Sequence, residues 1–218
     1  MSLVVVTSPE NAISSLSDLV DEVRDELDDD AFSAERIYKA IARAEAVFNR
    51  ELRCPKMETT YQFTTDTEET ELPLDFLQMR TAYEEDSPDN PLNAMSPSGL
   101  RSYYQGRTGS PEAFTVENRR FVMAPVGEAT FTILYYARIP ALTSDNPSNW
   151  LLEEHPDVYL HQVLAILFNK TGDRDRAIDN QQIAGGIIEA INASGRKNRW
   201  AGGPLVPRGI SQVYGARR

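Results

Sequence analysis

The first quarter of the chain has the hydrophobic spacing of two amphipathic helices. The first is predicted from Ser14 to Asp30, because apolar residues recur there at helical spacing on one face. These residues are Leu16, Leu19, Val20, Val23 and Leu27. Ser15, with an aspartate three residues on, has the pattern of a helix N-terminus. A second helix is predicted after Ser33, and the short loop between the two favours antiparallel packing.

Between Met57 and Ile139 the hydrophobic period changes to two, which predicts β-strands. The predicted strands lie at 59–63, 79–84, 113–117, 120–124 and 129–139. Asn118-Arg119 is predicted to form the turn of a hairpin. Ser96-Pro97 has the sequence of a helix start and predicts one short helix within this region. The last strand is apolar on both faces, which places it at the centre of a sheet.

Helical spacing returns after Trp150. One helix is predicted from Pro156 to Gly172, and another from Asp173 to Gly195. The buried face of the second is predicted to contain Ala177, Ile178, Ile183, Ile187 and Ile191. Beyond this helix the sequence is rich in Gly and Pro and has no periodicity, which predicts an extended arm.

The order of these elements predicts an α+β fold, in which an antiparallel-type helical bundle carries an inserted β domain. The β domain is expected to contain a small sheet or barrel and one short helix. The predicted segments are an N-terminal arm (1–13), a helical pair (14–54), the inserted β domain (55–140), a second helical pair that completes the bundle (141–195) and a basic C-terminal arm (196–218).

The chain of 218 residues has a formal net charge of −11, and the charge is unevenly distributed. Residues 1–110 hold 22 Asp and Glu against 10 Lys and Arg, whereas no acidic residue follows Glu189. An acidic body argues against binding driven by nucleic-acid phosphates, which requires a basic face. The length fits one domain or two small, closely packed ones.

The basic end of the chain has two interpretations. It suits docking onto an acidic partner surface, including another copy of the chain, and it equally fits a disordered, solvating tail. Trp200 favours docking, because a tryptophan among cations is typical of protein–protein hot spots. The predicted interface residues are Arg196, Lys197, Arg199, Trp200, Arg208, Tyr214, Arg217 and Arg218.

The sequence contains few motifs that indicate catalysis or the binding of a cofactor or metal. The sequence lacks the common phosphate-binding, nucleophile-elbow and zinc-protease motifs, so no catalytic, cofactor or metal residue is predicted. A small enzyme that uses Glu153, Glu154 and His155 is the weaker alternative; acids near a helix N-terminus are more simply explained by the helix dipole. No apolar run approaches the roughly 20 residues needed to span a bilayer, and the start lacks a signal-peptide pattern. An intracellular product is therefore expected.

Three segments of this chain resemble the head–tail adaptor (connector) proteins of tailed phages. They are LPLDF at 72–76, ILYYARIPALT at 133–143 and NPSNWLLEEHPDVYLHQVLAILF at 146–168. The similarity is to podophage tail tubular protein A and to siphophage head-completion adaptors. The helix–β–helix order also matches. Within the third segment, Trp150, Pro156 and Tyr159 are predicted packing anchors.

The resemblance implies a structural virion protein of the neck, made in the host cytoplasm, with no cofactor and no membrane partner. By this analogy, about twelve copies form a ring under the portal protein. The ring receives a tail, nozzle or tail-completion protein, and double-stranded DNA passes through it without specific binding. The basic C-terminal residues would then form the portal or subunit interface. A tail-side completion or terminator ring is the alternative within the same class.

Overall fold

The computed structural model describes residues 13–27 and 32–199. These residues form six α-helices: α1 (Leu16–Leu27), α2 (Ala34–Glu51), α3 (Pro97–Tyr104), α4 (Trp150–Glu154), α5 (Pro156–Thr171) and α6 (Arg174–Arg199). A single 3₁₀ turn at Pro55–Met57 follows α2. None of the described helices has the length and apolar character needed to cross a membrane. Most of the predicted N-terminal arm, and the chain after Arg199, lie outside the described residues.

Seven strands lie between α2 and α4. They are β1 (Glu58–Thr65), β2 (Glu69–Glu71), β3 (Phe76–Glu84), β4 (Asn93–Ala94), β5 (Ala113–Glu117), β6 (Arg120–Ala124) and β7 (Ala129–Ala137). They form a three-stranded antiparallel sheet in the order β1-β7-β3 and a four-stranded sheet in the order β2-β6-β5-β4, in which only β4 and β5 are parallel. The α+β prediction is confirmed, but the described strands form two small sheets and no closed barrel.

Local sequence signals account for several element boundaries. The Ser15 amide donates to Asp18 Oδ2 and the Asp18 amide donates back to Ser15 Oγ, so α1 starts with a reciprocal capping box. Ser96 Oγ accepts from the Gly99 amide at the start of α3. Asn118 and Arg119 both have positive φ, as a two-residue turn between β5 and β6 requires. These predictions are confirmed.

The central helix of the bundle is α5, which packs against α1, α2, α4 and α6. It is buried around most of its circumference, so the single apolar stripe of a surface helix does not describe it. Its buried residues are Val158, Tyr159, Gln162, Val163, Leu164, Ala165, Leu167 and Phe168. Gly172, in the left-handed conformation, ends the helix as predicted.

The predicted buried face of α6 is wrong in two of its residues. Ile178 and Ile183 have exposed fractions of 53% and 46%. The face that meets the bundle instead contains Ala177, Ala184, Ile188 and Ile191. Ile178 follows Ala177 and Ile183 precedes Ala184, so each lies about 100° around the helix from the buried face, since a turn holds 3.6 residues. The prediction included Ala177 and Ile191 but missed Ala184 and Ile188. A small alanine allows α6 to pack closely on its neighbour α5.

Strand β7 joins the two hydrophobic cores of the molecule. Phe131, Ile133 and Tyr135 enter the core between the sheets, whereas Tyr136, on the opposite face, packs into the helical core. The strand is central in its sheet, as predicted from its two apolar faces. The helical bundle and the β region therefore share one structural element, and the residues after β7 lead directly to α4.

Candidate functional site

The three segments that carry the adaptor resemblance are hydrogen-bonded into one structure. Asp75, in the first segment, accepts from the Tyr135 hydroxyl at 3.0 Å, and its carbonyl accepts from the Arg138 amide at 2.7 Å. Burial, together with the Asp75 carboxylate, raises the pKa of Tyr135 to about 12. Asn149, in the third segment, donates to the Pro140 carbonyl of the second at 2.8 Å. The motifs are therefore packing motifs that fix the path of the chain from β7 to α4.

Asn149 is the central residue of this connection. Its Oδ1 accepts from the Leu152 amide at 2.9 Å and so caps α4, while its Nδ2 reaches the Tyr159 hydroxyl at 2.8 Å. The Asn149 and Tyr159 side chains are both buried. One asparagine side chain thus forms hydrogen bonds with the start of α4, with the preceding loop and with the first turns of α5.

Two residues of α2 hold the same loop from the other side. The buried Glu45 carboxylate accepts from the Leu142 amide at 2.7 Å and from the Tyr159 hydroxyl at 3.4 Å. Asn49, one helical turn later, accepts from the Ile139 amide at 2.8 Å. Burial raises the pKa of Glu45, and burial likewise raises the pKa of Tyr159. Sequence reasoning missed Glu45 and Asn49; the available signal was a polar pair at i and i+4 beside the apolar stripe of α2.

The three predicted packing anchors differ in burial. Tyr159 is fully buried and meets the Phe48 ring edge-on, with 4.9 Å between the ring centroids. Trp150 is half-buried and packs against the helical core as the first residue of α4. Pro156, also half-buried, occupies the first turn of α5, where the missing amide hydrogen costs nothing.

The alternative enzymatic residues have structural partners. Glu154 forms an ion pair with Lys56 at 2.7 Å, and Glu153 accepts from the Ser148 hydroxyl at 3.0 Å. His155 lies at the junction between α4 and α5. Among the described residues, no group of three or more His, Cys, Asp or Glu side chains could hold a metal ion.

The C-terminal end of α6 is clamped against the end of α2. Asn192 Oδ1 accepts from the Arg53 amide at 2.7 Å, and its Nδ2 donates to the Glu51 carbonyl at 3.0 Å. Gly195 allows the close approach, because a Cβ there would lie 2.8 Å from Pro55 Cδ. The direction in which the chain leaves the bundle is therefore fixed by contacts made just before its basic end.

A groove of about 610 Å³ lies beside this clamp. Trp150, Ile187 and Ile191 give it apolar walls, and the Lys56–Glu154 ion pair lies at its edge. The groove was not predicted, because its walls come from three segments that are distant in sequence.

The predicted interface residues fall into two groups. Arg196 and Lys197 are exposed on the last turns of α6, which continues to Arg199 rather than ending at Gly195. They therefore lie on a helix and not in an extended arm; residues 196–201 contain no glycine or proline that would end it. Arg199 is the last residue of α6. The other five predicted interface residues lie outside the described part of the chain: Trp200, Arg208, Tyr214, Arg217 and Arg218.

Comparison with known proteins identifies a family for most of the chain. The SU10 adaptor protein family matches the chain over residues 14–208, a range that runs from the start of α1 to beyond the end of α6. No curated protein matches the sequence. Since the family match covers most of the chain, this protein belongs to the SU10 adaptor family of phage structural proteins.

Proposed function

We propose that this protein is a head–tail adaptor that assembles as a ring beneath the portal, extends the DNA channel and joins the capsid to the tail. Membership of a phage adaptor family supports the proposal. The ring would contain about twelve copies in the virion neck, as expected for a closed cyclic assembly. Portal protein would bind on one side, and a tail, nozzle or tail-completion protein on the other. DNA would pass through during ejection without specific binding, since the chain is strongly acidic.

The clamped end of α6 is the observation that carries this proposal. Asn192 and Gly195 hold the last turns of α6 against α2, so Arg196 and Lys197 are presented in a fixed direction. The basic segment that follows would dock on the portal or on a neighbouring subunit. Trp200 and the arginines would supply a hot spot and complementary charge. A rigid base lowers the entropy cost of ordering such a segment on binding.

The test is truncation after Arg199, which leaves the whole described structure in place. The truncated chain is expected to keep its thermal unfolding profile but to lose binding to the purified portal, as seen by cryo-electron microscopy of the mixture. Full-length protein should give a ring at the tail-facing end of the portal. Arg174→Glu, at the opposite end of α6, is the matched control and should bind normally.

Two results would overturn the proposal. If the truncated chain forms the same ring as the full-length chain, the C-terminal segment is not the portal-binding element. If full-length protein leaves the portal bare but binds the tail, the protein is a tail-side completion ring.

A further inference from the structure

The exposed faces of the first two helices carry opposite charges. The buried residues of both helices point into the shared helical core, which leaves the charged residues outside. We call Asp21, Glu22, Asp25 and Glu26 of α1 the acidic face. We call Arg36, Lys39 and Arg43 of α2, together with Lys170 at the end of α5, the basic face.

Arg36, Lys39 and Arg43 are spaced three and four residues apart, so they lie on one side of α2, which packs against α5, the helix that carries Lys170. The pKa of Lys170 is lowered, first by partial burial and then by the positive charges of Arg43, Arg36 and Lys39. Among the ion pairs of the described residues, only Lys39 of this group has a partner, which is Glu35 one turn earlier. A positive surface on a chain of net charge −11 attracts an anionic partner.

The two faces do not neutralise each other within one chain. No ion pair between described residues joins α1 to α2; Asp21 pairs with Arg24 of its own helix at 3.3 Å. Both helices pack on α5 through their buried residues. Each face is therefore available to a second molecule.

We propose that the basic face of one copy docks on the acidic face of the next copy. This inference rests on the proposed function in that it assigns the contact to the adaptor ring. A contact between two different faces of the same chain is heterologous, and such contacts close into rings when the rotation allows. Complementary charge would set the register of neighbouring subunits and speed their encounter.

A second copy of the chain offers an opposite charge to both faces, whereas any other single partner offers it to only one. DNA phosphates would suit the basic face but leave the acidic face without a cation. A basic partner protein would suit only the acidic face. A copy of the same chain supplies both charges at each contact, and every face in a closed ring is used.

Two charge-reversed variants test the proposal. With the ion-pair partners Glu35 and Arg24 counted, Arg36→Glu with Arg43→Glu changes the basic face from +3 to −1. On the same count, Asp21→Lys with Asp25→Lys changes the acidic face from −3 to +1. All four positions are exposed, and the new residues favour helix. Each variant alone is expected to lose self-association and ring formation on the portal. An equal mixture should recover both, because acidic and basic subunits can alternate around the ring.

Matched controls separate this contact from a general effect of net charge. Arg138→Glu with Arg174→Glu, and Asp66→Lys with Glu128→Lys, make the same charge changes at exposed positions elsewhere. They are expected to assemble as the wild type does. Raising the salt concentration should dissociate the mixed complex, since the screening length falls from about 10 Å at 0.1 M to about 3 Å at 1 M.

Sedimentation velocity of the free variants and electron microscopy with the portal give independent readouts. A mixture that associates no better than either variant alone would overturn the proposal, as would controls that lose assembly equally. Loss of DNA retention in the arginine variant, without recovery in the mixture, would reassign the basic face to DNA. If the free variants associate only as a mixture while wild type leaves the portal bare, the docking stands and the portal function fails.

Discussion

At the scale of single residues, Glu45 determines how the loop between β7 and α4 is held. It is a buried carboxylate with two donors, the Leu142 amide and the Tyr159 hydroxyl. Loss of a buried acceptor costs about 1–3 kcal/mol, which is more than the bond itself contributes. This makes Glu45 a structural residue of the adaptor motif, although it lies about a hundred residues away from that motif in sequence.

Glu45→Gln tests this role through its pH dependence. Burial raises the pKa of Glu45 above its ordinary value of 4.5, so the charged form is disfavoured in the folded state. The contribution of Glu45 to stability is then greatest below about pH 4.5 and falls as the pH rises through its folded-state pKa. Glutamine keeps an acceptor for Leu142 without this titration, so the free energy of unfolding of Glu45→Gln, relative to that of the wild type, should rise as the pH rises above about 4.5.

Urea unfolding at a series of pH values measures this difference. Glu26→Gln, at an exposed position of α1, is the control and should follow the wild-type profile. Glu45→Ala should be less stable than Glu45→Gln by about 1–3 kcal/mol at every pH, because neither residue titrates and only alanine leaves the Leu142 amide without an acceptor. A constant difference between Glu45→Gln and wild type across the pH range would contradict the assignment.

At the scale of elements, the stability of the last turns of α6 depends on how closely Gly195 approaches Pro55. Gly195→Ala should destabilise the protein, because the new Cβ would lie 2.8 Å from the rigid Pro55 ring. Gly186→Ala on the same helix has no atom within 4 Å of the new Cβ and is expected to stabilise by about 1 kcal/mol. Thermal unfolding of the two variants measures the contrast. Equal stabilisation by both would show that α6 does not approach the Cys54–Pro55 turn.

Element prediction succeeded where the signal was local. The capping box of α1, the Asn118-Arg119 turn and the glycine end of α5 each depend on a few adjacent residues, and each was predicted. The buried face of α6 was predicted only in part, because Ile178 and Ile183 were chosen in place of Ala184 and Ile188, which are buried. Hydrophobicity alone does not report how closely two helices approach.

The candidate site was predictable only in part, for a related reason. Trp150, the first residue of α4, was predicted from the sequence as a packing anchor. The partners Glu45, Asn49 and Asn192 were not, because their hydrogen bonds join residues about 90 to 140 positions apart. Likewise, Arg196 and Lys197 were assigned to an arm, since a glycine at 195 resembles a helix end. In the structure that glycine allows a tertiary contact instead.

At the scale of the whole molecule, β7 makes the helical core and the β core depend on each other. Tyr136 packs into the helical core, and the guanidinium groups of Arg53 and Arg80 lie 5.7 and 5.6 Å from the centroid of its ring. Its neighbours Phe131, Ile133 and Tyr135 face the β core. A substitution that destabilises one core should therefore destabilise the other, and unfolding should be a single cooperative transition.

Phe121→Ala tests this coupling from the β side. Phe121 is buried among the rings of Phe63, Phe114 and Phe131, with centroid distances of 5.3 to 5.5 Å, so its truncation should cost about 3–5 kcal/mol. If the cores unfold together, the free energy of unfolding measured in urea from the helical circular-dichroism signal at 222 nm should fall by that full amount. Val116→Ala, on a more exposed position of β5, should shift it little. A helical transition that stays in place, or that splits in two, would show that the β region unfolds as an independent domain and that β7 connects the cores without coupling them.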